Sequence, residues 1–132
     1  MTIRGSCLCG EVRYEIDGEM GRMGHCHCSM CRKAHGAAFG TYGVVDKDRF
    51  RFVAGEDLVT SYASSPDVNR TFCSRCGATL QFITRDAGHL GVAVGTLDDD
   101  PGIRPSYHIW TDSKAPWWAI DDDLWSHPTE PD

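Results

Sequence analysis

No stretch of this sequence approaches the ~20 consecutive apolar residues that a membrane-crossing helix needs. The longest candidates are broken by Gly, Arg or Asp, so neither a membrane span nor a membrane partner is expected. The opening residues, MTIRGSCLCGEVRYEI, lack the apolar core of a secretory leader, and a cytoplasmic location is the expectation. Lysine is scarce, confined to Lys33, Lys47 and Lys114, and 13 Lys+Arg stand against 19 Asp+Glu for a net charge of −6. Affinity for nucleic acid rests on clustered cations that displace counterions, and this chain has no basic stripe. Linkers, low-complexity segments and internal repeats are also missing. A chain of 132 residues is then expected to form a single domain over 1–132 with one core.

Helical periodicity is nearly absent as well. Apolar residues recur at every second position in EVRYEI (11–16), where Val12, Tyr14 and Ile16 share a face, as in a half-buried strand. Further short strands are expected at 37–45, 49–53, 58–63, 69–73, 78–84, 89–95 and 107–111, separated by glycines. Ser29–His35 is the one segment expected to turn as a helix. Many short strands at close spacing predict a mainly β fold of antiparallel sheets with minimal helix.

Against these absences stands one excess, seven cysteines. An odd count without a leader argues against a disulfide framework and for thiols held by metal. They fall into Cys7-x-Cys9, Cys26-x-Cys28-x2-Cys31 and Cys73-x2-Cys76. On a strand, C-x-C presents both sulfurs to one face, and C-x2-C does the same through a turn. Tetrahedral zinc needs sulfurs only ~3.7 Å apart, which suits both spacings. The compact 26–31 segment converges on one ion most simply, leaving Cys7, Cys9, Cys73 and Cys76 as a complete set of four.

A closed shell of four thiolates is a structural site, whereas three protein ligands leave a position for substrate. Two zinc ions are therefore expected, one structural and one catalytic, the second at Cys26, Cys28 and Cys31. Seven thiolates and two zinc ions would take the net charge from −6 to −9, further from any nucleic-acid role. Several alternatives stay open at this point: buried hydrophobic thiols, an iron–sulfur cluster, one zinc site with three bystander thiols, or a second site closed by His25, His35 or His108.

The segments GSCLCGEVRYEI, GHCHCSMCRKAHGAAFGTY, RTFCSRCGATL and VGTLDDDPGIRPSYHIW, in that order, resemble the glutathione-dependent formaldehyde-activating (GFA) / centromere-protein-V domain family. The resemblance runs from about residue 4 to 125. It implies a zinc-stabilised β-tent fold of twisted sheets, with Cys7, Cys9, Cys73 and Cys76 structural and Cys26, Cys28 and Cys31 catalytic. It also implies a carbon–sulfur lyase that joins formaldehyde to glutathione, giving S-(hydroxymethyl)glutathione, with the glutathione thiolate in the open zinc position.

The remaining residues carry weaker expectations. Arg32 and Lys33 could meet a glutathione carboxylate or simply face water. His25 and His27 flank Cys26 and should point away from the metal side. Trp110, Trp117, Trp118 and Trp125 cluster in the C-terminal third, where Pro116-Trp117-Trp118 could wall a substrate or the aromatics fill the core and its rim, and Asp98-Asp99-Asp100 reads as a turn rather than a calcium loop. The rival to an enzyme is a zinc-stabilised protein-interaction module, docking a partner through the aromatic C-terminal third.

Overall fold

The computed structural model describes residues 1–130. Its elements, in chain order, are β1 (Thr2–Ser6), β2 (Arg13–Asp17), β3 (Met23–Cys26), α1 (Ser29–His35), β4 (Gly40–Asp46), β5 (Phe50–Ala54), β6 (Val59–Ser65), β7 (Val68–Cys73), β8 (Thr79–Thr84), β9 (His89–Ala93), β10 (Tyr107–Ile109) and β11 (Trp125–Ser126). They make two sheets, a three-stranded one in the order β1-β2-β5 and an eight-stranded one in the order β11-β10-β3-β4-β9-β8-β7-β6. The two twisted sheets lean together over one core, and the mainly β expectation holds.

Alternation within the strands makes the core. Ile3, Tyr14 and Ile16 from the small sheet meet Met23, Val45, Leu80, Leu90 and Val92 from the large one, all buried. Each such side chain is worth about 1.5–3 kcal/mol when fully withdrawn from water. The Tyr14 hydroxyl finds a partner in Thr96 Oγ1 at 2.6 Å, and its ring stacks on Phe50. The acidic run acts as the turn its sequence suggests: Asp98 accepts from Ser6 Oγ, Asp99 pairs with Arg4 and Asp100 with Arg104.

Four departures from the sequence reading follow from local geometry. Cys7 and Cys9 lie not on a strand but in a turn after β1, where Cys7 N–H donates to Val12 O at 3.0 Å and Gly10 N–H to Cys7 O at 3.1 Å. The segment 37–45 begins as an irregular lead-out, because α1 ends on Gly36 in the left-handed region and pairing resumes only at Gly40. The large sheet is also mixed, since β10 runs parallel to both β3 and β11. Strand β10 stops at Ile109 rather than 111, as Trp110 takes φ 57°, the one left-handed non-glycine residue described.

Candidate active site

Pairing across the large sheet decides what lies opposite the core. Cys26 faces Gly40 and Ile109, Val44 faces Gly91, Gly91 faces Phe82, and Phe82 faces Arg70. Residues directly opposite one another share a sheet face, and Tyr42 joins this set two positions from Val44. This outer face floors a cleft of about 470 Å³ whose lining includes Cys26, Cys28, Cys31, Tyr42, Phe82 and Arg70, with Tyr107, Ile109 and Trp110 among its walls. A second hollow, about 500 Å³, borders Arg4, Arg13, Glu15, Asp98 and Asp99; it holds no cysteine, and its Arg4 and Asp99 are ion-paired.

The three sulfurs of Cys26, Cys28 and Cys31 lie within 4.8 Å of one another. Cys26 ends β3, and Cys28 is the N-cap of α1, its sulfur accepting from Cys31 N–H at 3.3 Å. Cys31 follows one turn inside the helix and is buried. The short helix is closed by Gly36 and carries Arg32, Lys33 and His35 in its last turn, where cations suit the dipole. Hydrogen bonds from the Cys26 and Cys31 thiols, then the Cys31 amide and Arg70, hold Cys28 well below the usual thiol range, while its bond to Cys28 pushes Cys26 up.

Among the described residues, no histidine or carboxylate joins this trio. The three histidines that might have closed it are engaged elsewhere. His25 Nδ1 meets Thr41 Oγ1 at 2.8 Å, and His35 Nε2 meets Tyr42 OH at 2.8 Å. His108 joins His27 on the other side of β3, as strand alternation around Cys26 predicts for His27. His108 Nε2–H donates to the Asp122 carboxylate at 3.0 Å, so His108 Nδ1 accepts from His27 Nε2–H at 2.8 Å. Both rings are almost wholly buried, and burial depresses His27 to about 4.

The second cluster gathers Cys7, Cys9, Cys73 and Cys76, again with sulfurs within 4.8 Å. The two contributing turns repeat one hydrogen-bond pattern: Cys73 N–H donates to Ala78 O and Gly77 N–H to Cys73 O, as at Cys7, Val12 and Gly10. Gly10 and Gly77 take φ near +80°, which only glycine enters freely. The Cys7–Cys9 and Cys9–Cys73 sulfur separations, 3.5 and 4.0 Å, bracket the ~3.7 Å edge of a tetrahedral thiolate–zinc site. The amides of Val12 and Ala78 also point at the Cys7 and Cys76 sulfurs, and Ala78 draws Cys76 down to about 6. Both clusters thus have the donor chemistry of a metal site, and each can hold one ion.

The cation beside the trio is one the sequence reading missed. Neither Arg32 nor Lys33 lines the cleft; Arg70 does, only 7% exposed, with Nη1 and Nη2 at 3.7 and 3.6 Å from the Cys31 sulfur. Its Nη1 also donates to Tyr42 OH at 3.1 Å and its Nε to Ser64 Oγ at 3.1 Å, with the guanidinium over the Phe82 ring. Burial keeps the Tyr42 phenol raised and His35 depressed, so both stay neutral near pH 7. Of the tryptophans, Trp110 lines the cleft, while Trp117, Trp118 and Trp125 are exposed.

No helix among the described residues is long and apolar enough to cross a membrane. A family model described as "Glutathione-dependent formaldehyde-activating enzyme" matches residues 2–113. A Halomonas elongata protein, provisionally named as a glutathione-dependent formaldehyde-activating enzyme, is 30% identical over 92% of this chain and 82% of its own length. A Schizosaccharomyces pombe protein named as an uncharacterized lyase is 33% identical over 59% of this chain, which spans 55% of that relative. A crystal structure of a Rhodobacter sphaeroides protein superposes with a TM-score of 0.61 at 26% identity, covering 77% of this chain and 91% of that one.

Proposed function

Because this chain belongs to the glutathione-dependent formaldehyde-activating enzyme family, we propose that it is a zinc-dependent carbon–sulfur lyase-type enzyme acting on the adduct of a thiol and an aldehyde. Glutathione and formaldehyde, joined as S-(hydroxymethyl)glutathione, are the favoured pair, as the relatives' names suggest. In this reading Cys7, Cys9, Cys73 and Cys76 hold a structural zinc ion, and Cys26, Cys28 and Cys31 hold a catalytic one. The observation that carries it is the trio itself: three sulfurs with a cleft in front of them and no further protein ligand among the described residues.

A zinc ion held by Cys26, Cys28 and Cys31 would supply Lewis acidity, lowering the pKa of a substrate thiol and polarising a neighbouring carbonyl. The chain's own residues do the rest. Val44, Phe82, Tyr107, Ile109 and Trp110 give the cleft apolar walls beside the cysteine trio. The Arg70 guanidinium offsets the negative charge of the cysteine trio, which is why a cation can be buried there without a carboxylate partner. The Cys28 cap fixes α1 against β3 and so holds the three sulfurs at their spacing.

Exchange of ¹³C-formaldehyde hydrate with S-(hydroxymethyl)glutathione, followed by nuclear magnetic resonance, tests the reading. Acceleration by the zinc-loaded protein, lost in Cys28→Ser, supports it; exchange at the solution rate with both proteins refutes it. The second reading, a zinc-held interaction module, draws on exposed Trp117, Trp118 and Trp125. It gains if Cys28→Ser unfolds the chain, because the trio is then a structural site.

A further inference from the structure

Arg70 is a cation buried in a cleft wall, and among the described residues no carboxylate pairs with it. Its hydrogen-bond partners are the Cys31 sulfur, Tyr42 OH and Ser64 Oγ. Guanidinium only donates, so the Tyr42 oxygen accepts from Arg70. On the far side of that oxygen stands His35 Nε2 at 2.8 Å. With its proton on Nε2, His35 donates as well; the Tyr42 oxygen then accepts twice and its own O–H is left for a guest in the cleft.

Two backbone positions keep this chain of groups in place. A Cβ on Gly40 would come within 2.7 Å of the His35 ring, and one on Gly91 within 3.2 Å of the Tyr42 ring. Both glycines lie inside strands, where glycine weakens pairing, and each leaves the space that a ring occupies.

We propose that Arg70 and Tyr42 form an oxygen-binding hole beside the cysteine trio, with His35 behind it, for the aldehyde-derived oxygen of a hemithioacetal. The proposal rests on the lyase reading above and deepens it by naming the groups that hold and protonate that oxygen. In the forward direction a lone pair of the substrate sulfur attacks the carbonyl carbon and the C–S bond forms. The C=O π pair moves onto oxygen, where the Arg70 Nη–H and Tyr42 O–H groups receive it. Tyr42 gives up its proton to that oxygen and takes one from His35. Water carrying the proton the thiol lost protonates the partly exposed His35 at Nδ1 as its Nε2 proton leaves, so the ring stays neutral and charge and atoms balance; cleavage of the adduct runs the same path backwards.

The test compares 2-mercaptoethanol, whose hydroxyl imitates the adduct oxygen one methylene further out, with ethanethiol, by calorimetry on the zinc-loaded protein. The wild type should bind 2-mercaptoethanol about fivefold more tightly, the size of one net hydrogen bond. Tyr42→Phe should lose that preference, bind ethanethiol unchanged, and turn over about 10²-fold more slowly at an unaltered thiol KM. Arg70→Lys, which keeps the charge but not the forked donors, should lose the preference too and stands in if Tyr42→Phe misfolds. His35→Gln should keep the preference while losing rate, since glutamine donates but relays no proton. A preference that survives both Tyr42→Phe and Arg70→Lys overturns the hole, and so does ethanethiol binding by the wild type with no preference at all. Binding of neither thiol overturns the underlying lyase reading, and this inference with it.

Discussion

Two cysteines with the same side chain should respond oppositely to one substitution. Cys28 serves α1 as an N-cap, and a serine oxygen caps at least as well as sulfur, so Cys28→Ser should melt within a few degrees of wild type. Cys28→Ala, which removes the cap, should be less stable by about 1 kcal/mol. Cys76→Ser removes one of four sulfurs from a closed cluster joining distant turns and should abolish cooperative melting. Circular dichroism melts of the three variants check this; equal destabilisation by Cys28→Ser and Cys76→Ser would contradict it. The cysteines were legible in the sequence because metal spacing is a short-range property. Arg70 and Tyr42 were not, because they reach the trio only through strand pairing across β4, β9, β8 and β7, and Arg70 lies 39 positions from the Cys31 it touches. Arg32 and Lys33 drew the eye by adjacency in sequence, yet the helix carries both out of the cleft lining.

At the level of elements, the seam between β3 and β10 is held by buried imidazoles and so depends on pH. His27 titrates near 6.5 when unfolded and about 4 when folded. Its folded pKa is depressed for a group that gains charge on protonation, so the unfolded chain binds the proton first. Stability is full above about pH 6.5 and falls as pH drops toward 4. The bond from His108 lowers Asp122, which adds a loss in the same direction below the unfolded carboxylate value of about 3.9. Melting temperature should therefore decline from pH 7 to 4.5, with zinc content followed at each step, and His27→Gln should flatten the decline. An equal slope in both proteins would contradict the assignment. Alternation in the sequence marked the regular strands β2, β4 and β9 but overran their ends, since Glu11 and Val12 belong to the Cys7 turn and 37–39 to the exit from α1. The parallel docking of β10 left no periodic trace: it involves three residues and is secured by His108 and Asp122, fourteen positions apart.

Across the molecule the two cysteine clusters sit in different mechanical positions. The four-sulfur cluster ties the turn after β1 to the turn between β7 and β8, with Cys9 and Cys73 separated by 64 positions. The trio closes only the short path from β3 into α1, although Thr79 Oγ1 bonds the Ala34 carbonyl and fastens that helix to the far turn. Mild chelation should therefore remove one zinc ion and leave the sheets folded, while exhaustive chelation should remove the second and unfold the chain. Loss of both together would contradict two independent sites. X-ray absorption at the zinc edge, before and after adding glutathione, tests the central claim most directly. Two zinc ions per chain should average about 3.5 sulfur ligands, rising to about 4 with thiol and failing to rise in Cys28→Ser. One zinc equivalent, or a sulfur count that thiol leaves unchanged, would contradict it.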